Sequence, residues 1–406
     1  MDRPRSSLPL LAGLYTVQGA VFGFTTGVLI PALAARGVSL EEQAGILAFA
    51  SLPWVLKLPV AVALDRLRPG AARVAGLSMV LLSVVLFGLA GLGPGLPWFS
   101  GLGVAWLGIN LLLAAQDVSA DALAIDTVSA EHRGRANGAM WGGHQVGGTL
   151  LGTVGLGMVL SVSGLGTTLA CLAGFVLLGG VWAFRSNVRA SVQARQEGLA
   201  GLLRSPTTWL VGGLASVFLV ADVFTSALAG EFLVNRLGWG LPRVTGILPW
   251  ANLGGQVVGY GIAVVGVDRL GHARATALGS ALLGGLWLLF AGAEPAWVWP
   301  GFVYGFVVLQ AGATALMYVG LYAWLMGHVD PRFRATHYAV FMSLLNAPRA
   351  WVPGLAAGGL AALGWSGVFA LAGSVQVVLG ATAWVLGRHA SSAGTSEGTT
   401  DTRAEA

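Results

Sequence analysis

Between Leu8 and Gly387 the chain passes through twelve apolar stretches of about 20 residues, each long enough to cross a hydrocarbon core of roughly 30 Å. Lipid offers backbone amides and carbonyls no partner, so such stretches must satisfy their own hydrogen bonds as helices. The spans predicted this way cover about 8–32, 43–64, 73–92, 97–124, 135–160, 164–184, 208–233, 243–266, 274–292, 297–326, 335–360 and 364–387. Composition agrees: 55% of residues are hydrophobic and 10% charged, with a mean hydropathy of +0.76, far from the balance of a soluble domain. The fold class predicted is an all-α integral membrane protein. Its 62 glycines point to close helix packing, since small residues let membrane helices approach. The first span is long and lacks an obvious small-residue cleavage site, so no signal peptide is expected. The one cysteine, Cys171, excludes an intramolecular disulfide and is read as packing in the sixth span.

Arginine placement sets the expected topology. With the N-terminus inside, most of the basic residues fall in cytoplasmic loops, and only Arg36, Arg236 and Arg243 fall outside. That is the split expected of an even number of spans with both termini cytoplasmic. The net charge of +5 is then explained by arginines facing anionic lipid headgroups, with no nucleic acid required.

The longest polar interruption divides the chain. The reading is an N-terminal six-helix bundle over 1–184, a cytoplasmic linker over 185–207, a C-terminal bundle over 208–388 and a disordered tail over 389–406. Leu64-Asp-Arg-Leu-Arg-Pro-Gly-Ala-Ala-Arg73 after span two is echoed by Val267-Asp-Arg-Leu-Gly-His-Ala-Arg274 after span eight. Likewise Glu131-His-Arg-Gly-Arg-Ala-Asn137 is echoed by Pro331-Arg-Phe-Arg-Ala-Thr336. Loops matched in two halves indicate an internal repeat, the architecture of many secondary transporters. The Asp-Arg loops resemble the signature loop of the major facilitator superfamily. By that resemblance the fold is two pseudo-symmetric six-helix bundles, and Asp65, Arg66, Arg73, Arg133, Asp268 and Arg269 belong to gating loops.

Lys57 is the sole lysine among 22 basic residues, and it lies in an apolar run. A cation there is expensive and is a functional-site candidate by default. On the fourth span Asn110, Asp117 and Asp121 share one helical face. At about 1.5 Å per residue, Lys57 sits roughly 12 Å inward of Asp65 and Asp117 roughly 13 Å inward of Asp126, with His144 at a similar level. Lys57 is therefore expected to pair with Asp117 or Asp121, leaving the other acid for a proton or a polar substrate. A static pair that only fixes helix packing is the competing reading.

Further polar stripes suit a central cavity. They include Tyr15, Gln18 and Thr25 in span one, Gln116 in span four, and His144 with Gln145 in span five. The second half adds Asp222 in span seven, Asn252 and Gln256 in span eight, Gln310 and Tyr318 in span ten, and Asn346 and Arg349 in span eleven. Asp222 is the second half's candidate proton site. Arg349 suits an anionic group on the solute, and an Asp222 to Arg349 salt bridge is the structural alternative for both. No phosphate loop, metal-ligand cluster or nucleophile-base set stands out, so no cofactor, metal or catalytic residue is expected.

Ser51-Leu-Pro-Trp-Val-Leu-Lys-Leu-Pro-Val-Ala-Val-Ala-Leu-Asp-Arg66 and Ala115-Gln-Asp-Val-Ser-Ala-Asp121 with Glu131-His-Arg-Gly134 resemble the second helix, fourth helix and following loop of the AmpG-type muropeptide permease and acetyl-CoA transporter branch. In that resemblance Lys57, Gln116, Asp117, Asp121 and Arg133 match characteristic positions, whereas His144-Gln145 departs from the branch's Tyr-Arg. It implies a major facilitator fold in a bacterial inner membrane, a monomer, and proton-driven movement of a bulky polar solute by alternating access. Siderophore transport on the same fold, or a non-transporting assembly or pigment-delivery role, are the alternatives.

Overall fold

The computed structural model describes residues 7–34, 46, 52–54, 57–67, 70–92, 100–186, 188, 199–239, 243 and 247–397. Residues 43–45, 47–51, 55 and 56 of the predicted second span, and residues 398–406, lie outside these. Among the described residues nine helices are long and apolar enough to cross a membrane, and one of them, Ala130–Arg185, holds two predicted spans.

In chain order the helices are α1 (Leu8–Phe24), α2 (Leu58–Leu67), α3 (Ala71–Leu92), α4 (Ser100–Thr127), α5 (Arg133–Val146) and α6 (Leu156–Arg185), followed by the short α7 (Leu199–Arg204). The series continues with α8 (Pro206–Glu231), α9 (Leu248–Leu270), α10 (His272–Gly292), α11 (Pro300–Gly327), α12 (Arg334–Asn346) and α13 (Pro348–Glu397). Helix α13 continues past the predicted end of the last span, through the serines at 391 and 392, to Glu397.

Two glycines turn the chain between consecutive spans. Gly164 in α6 and Gly364 in α13 take φ of 76° and 66°, a conformation that only glycine adopts without strain. They fall at the predicted junctions of spans five with six and eleven with twelve. π-Helical turns at Thr25–Leu29 and Phe232–Arg236 extend α1 and α8 at matching places in the two halves of the sequence.

The chain forms two compact units, Met1–Leu210 with His328–Ser343, and Val211–Gly327 with Leu344–Ala406. In the first, α1 packs on α5 with almost no side chain between them. A methyl group at Gly19 would overlap the carbonyl oxygen of His144, and one at Gly147 the carbonyl oxygen of Thr16. This contact of backbones is what glycine permits in membrane helices, and it brings Gln18 and Phe22 of α1 to the level of His144. Cys171 differs from expectation: it is exposed on α6, on a helix whose outward face also shows Leu178 and Trp182.

Candidate functional site

The first unit buries a polar cluster in an apolar bundle. Lys57 is 3% exposed, Asp117 7%, Asp121 4%, Gln18 2% and Gln116 0%. Lys57 stands at the start of α2, where its carbonyl accepts the Ala61 amide at 3.1 Å. A helix N-terminus already carries partial positive charge, so an ammonium there requires an acid. Asp117 supplies it: Lys57 Nζ lies 3.2 Å from Asp117 Oδ2. Gln18 Nε2 donates to Asp117 Oδ1 at 3.0 Å, and the Tyr15 hydroxyl donates to Asp121 Oδ1 at 2.7 Å. Tyr15 and Gln18 lie one turn apart on α1, and the acids one turn apart on α4, so two antiparallel helices align their polar faces pair by pair. Of the two acids that spacing left open, Asp117 takes the lysine.

Aromatic rings flank this cluster in a continuous chain. Tyr15 and Trp141 have ring centroids 5.7 Å apart, Trp141 and His144 5.3 Å, Phe22 and His144 5.6 Å, and Phe22 and Trp54 5.3 Å. Trp54 Nε1 donates to Asn110 Oδ1 at 2.8 Å, which places Asn110 on the same face as the acids. His144 Nδ1 and both amide atoms of Gln116 are buried without a hydrogen-bond partner among the described residues. Buried polar atoms of this kind call for water or a ligand. Gln145 is half-buried beside them. Thr25 differs from expectation: its hydroxyl donates to Val21 O at 2.8 Å and accepts Trp106 Nε1 at 3.2 Å, so it serves helix packing.

At the other end of α4 the same unit holds a set of ionic contacts. Asp65 of α2 accepts the amides of Ala335 and Thr336 at 3.2 and 2.7 Å. These are among the unpaired N–H groups at the start of α12, and a carboxylate there also meets the positive end of the helix. Arg334 pairs with Asp126. Asp330 N donates to His337 Nδ1 at 2.9 Å, and His337 Nε2 meets the Thr208 hydroxyl at 3.2 Å, so the imidazole is held as the neutral Nε2–H tautomer. In the loop before α12, hydrogen bonds from the Arg332 side chain hold the Asp330 carboxyl below its usual range. Arg73 is exposed and Arg133 half-buried, with its Nε unpartnered among the described residues. Nothing in the sequence spacing links Asp65 to residues 270 positions later. An acid ending one helix and a free helix start elsewhere were the only signals.

In the second unit, Tyr318 of α11 donates its hydroxyl to Asp222 Oδ2 of α8 at 2.8 Å, and Tyr322 stacks on Tyr318. Arg349 Nε donates to Asn346 Oδ1 at 3.1 Å, so among the described residues Asp222 is met by the tyrosine rather than by a salt bridge. Gln310 Nε2 donates to Thr314 at 3.3 Å, Asn252 is half-buried, and Gln256 Oε1 is buried without a partner among the described residues. Asp268 pairs with His272 at 3.5 Å, one turn along its own loop, and Arg269 is exposed. Outside the spans, the Ser366 hydroxyl and then Arg236 hold the Glu294 carboxyl below its usual range. A Tyr–Asp pair thus occurs in each unit, with tyrosine and acid on exchanged helices. In the first the tyrosine is on span one and the acid on span four; in the second the acid is on span seven and the tyrosine on span ten.

No protein-family model matches the chain. The anhydromuropeptide permease of Escherichia coli (strain K12) is 24% identical over 383 residues, which cover 90% of this chain and 76% of the permease. Among solved structures, the fucose:proton symporter of Escherichia coli has a TM-score of 0.74 at 12% identity, covering 93% of this chain and 98% of the symporter. The human organic anion transporter has a TM-score of 0.70 at 15% identity, covering 94% of this chain and 100% of that protein. These relatives are transporters, not enzymes. The chain thus has the fold of these major facilitator transporters, and in sequence it is similar over 90% of its length to a bacterial permease.

Proposed function

We propose that the chain is a proton-coupled secondary active transporter that moves a polar, sugar- or peptide-containing solute of the muropeptide type by alternating access. The observation that carries this reading is the buried Lys57–Asp117 pair with a second acid, Asp121, one turn away. Ionisable groups inside membrane helices mark ion and substrate pathways, because their desolvation is tolerated only where they act. Coupling falls within the set of buried Asp117 and Asp121 and half-buried Asp222, with Lys57 as the fixed counter-charge. In the first unit the solute is held by Gln116, His144 and the ring chain from Tyr15 to Trp54. Within the second unit, taken by itself, Gln256, Tyr318 and Arg349 are further candidates for polar contacts to a solute. Ring faces suit the apolar face of a sugar, and the few convergent polar groups set its orientation. Similarity to the muropeptide permease supports that solute class. Contacts of Asp65 and Arg334 with their partners serve as the gate on the cytoplasmic side. Both termini lie in the cytoplasm, by the arginine distribution, and a monomer suffices.

Reconstitution tests this. Proteoliposomes given a muropeptide gradient should change their luminal pH, and Lys57→Met vesicles should not. A wild-type protein that leaves luminal pH unchanged for every muropeptide offered contradicts the reading.

A further inference from the structure

We propose that Asp121 is the group that takes up and gives back the coupling proton, while Lys57 and Asp117 stay ionised as a fixed pair. This rests on the proton-coupled reading above and names the residue within it.

The cluster holds one ammonium and two carboxylates. Asp117 is met by two donors, Lys57 Nζ on one oxygen and Gln18 Nε2 on the other. Asp121 is met by a neutral phenol, Tyr15, and by no cation within hydrogen-bonding distance among the described residues. With both acids ionised the cluster carries one net negative charge in a low-dielectric interior. Protonating Asp121 makes it neutral and leaves the ion pair whole. Protonating Asp117 reaches the same net charge but strips Lys57 of its adjacent partner and keeps the lone carboxylate further off. The first outcome retains the charge-assisted bond, and so is favoured.

Other ionisable groups around Asp121 do not change the assignment. On its own helix are Asp117 and, five residues on, Asp126, which is bound to Arg334. From α1 come Tyr15 and Gln18; from α12 comes Tyr338, which interacts electrostatically with Tyr15. From α5 comes His144, which interacts with Asp117 and is wedged between the rings of Trp141 and Phe22.

Position adds a second line. Asp121 lies about 7.5 Å along α4 from Asp126, on the side of Asp117 that faces the Asp126–Arg334 pair and the start of α12 capped by Asp65. At that end α12 lies close by, with Arg334 on Asp126 and Tyr338 in electrostatic contact with Tyr15. Water reaches Asp121 from that side only when those contacts part, which makes proton release contingent on the gate. In the step itself one O–H bond forms on Asp121 from a hydronium at one face. The same bond breaks to return the proton to water at the other. The proton on Lys57 is never exchanged.

The test needs no solute. Infrared difference spectra of the full chain in lipid nanodiscs, taken in D2O across a pH titration, report the carbonyl stretch of protonated carboxyl groups. The expected result is a band component that grows as pH falls, is absent in Asp121→Asn and persists in Asp222→Asn. In Asp121→Glu it should move to a glutamic-acid frequency, and in Tyr15→Phe its midpoint should shift. Unchanged spectra in Asp121→Asn, or an unmoved band in Asp121→Glu, overturn the assignment. Should Asp121→Asn fail to fold, the Asp121→Glu and Tyr15→Phe spectra decide alone. Muropeptide uptake separates this inference from the function it rests on. Wild-type vesicles that move nothing refute the transporter reading and leave the spectra to judge Asp121. If wild-type uptake is proton-coupled, Asp121→Asn should still exchange muropeptide across the vesicle without dependence on a pH gradient. An Asp121→Asn protein that retains gradient-driven accumulation overturns the assignment.

Discussion

Replacing Lys57 by methionine removes one charge of a pair whose side chains are 3% and 10% exposed and whose atoms are 3.2 Å apart. With an effective dielectric of about 20, Coulomb attraction at that separation is about 5 kcal/mol. Deleting one partner of a buried pair typically costs about 3–5 kcal/mol, because the other charge is left without compensation. Lys57→Met is therefore expected to lower stability by about 3–5 kcal/mol, and Asp117→Asn by a similar amount. The double variant removes both charges, and the amide oxygen introduced by Asp117→Asn would still accept from Gln18. It should regain most of the loss, so a double-mutant cycle should close with a coupling of about 3 kcal/mol or more. Reversible unfolding in mixed micelles, with four proteins measured side by side, gives this number. A coupling below about 0.5 kcal/mol, the range of independent sites, would refute the pairing argument. A Lys57→Met variant as stable as wild type would do the same.

Three further outcomes follow from other parts of the structure. Asp65→Ala should leave two amides at the start of α12 unpaired, at a cost of about 1–2 kcal/mol. Hydrogen exchange at Ala335 and Thr336 should then speed up roughly five- to thirtyfold, and unchanged exchange would contradict the cap. Gly19→Ala should drive a methyl group into the His144 carbonyl and cost about 1–3 kcal/mol; a thermal midpoint equal to wild type would mean that α1 and α5 do not meet backbone to backbone. Arg332 holds the Asp330 carboxyl below its ordinary value, so the folded state binds that proton more weakly than the unfolded state. The contribution is thus present above the ordinary carboxylate range of about pH 4 and fades as pH falls through the depressed value. Exchange of the loop amides before α12, corrected for intrinsic rate, should rise at low pH in wild type. It should already be raised, with a flatter profile, in Arg332→Ala.

Much of this fold can be read from the sequence, and the parts that cannot share a cause. Apolar run length and the charged loops place the spans, since each depends only on local composition. Helix rise alone puts Lys57 and Asp117 at one level, because both count inward from acids at helix ends. The choice between Asp117 and Asp121 is different. They lie one turn apart on the same face, and what separates them is the register of α1, which sets Gln18 against one and Tyr15 against the other. Gly19 and Gly147, which seat α1 on α5, look like any other glycines in a chain with 62, so even that neighbouring contact is hidden in the sequence. Thr25 reads as a cavity residue by its helical face, yet Trp106, from another helix, claims its hydroxyl. Asp65 and the start of α12, or Asp126 and Arg334, meet only once the chain has folded. Pairing between distant segments is not encoded in spacing.

On the proposed function, solute and proton move together through a site built on Lys57, Asp117 and Asp121. Luminal pH recorded in proteoliposomes, as muropeptide is added outside with no imposed pH gradient, tests it most directly. Wild type should show a solute-dependent pH change that Lys57→Met and Asp117→Asn abolish and that a protonophore collapses. Muropeptide entry in wild type with no accompanying change in luminal pH would contradict it.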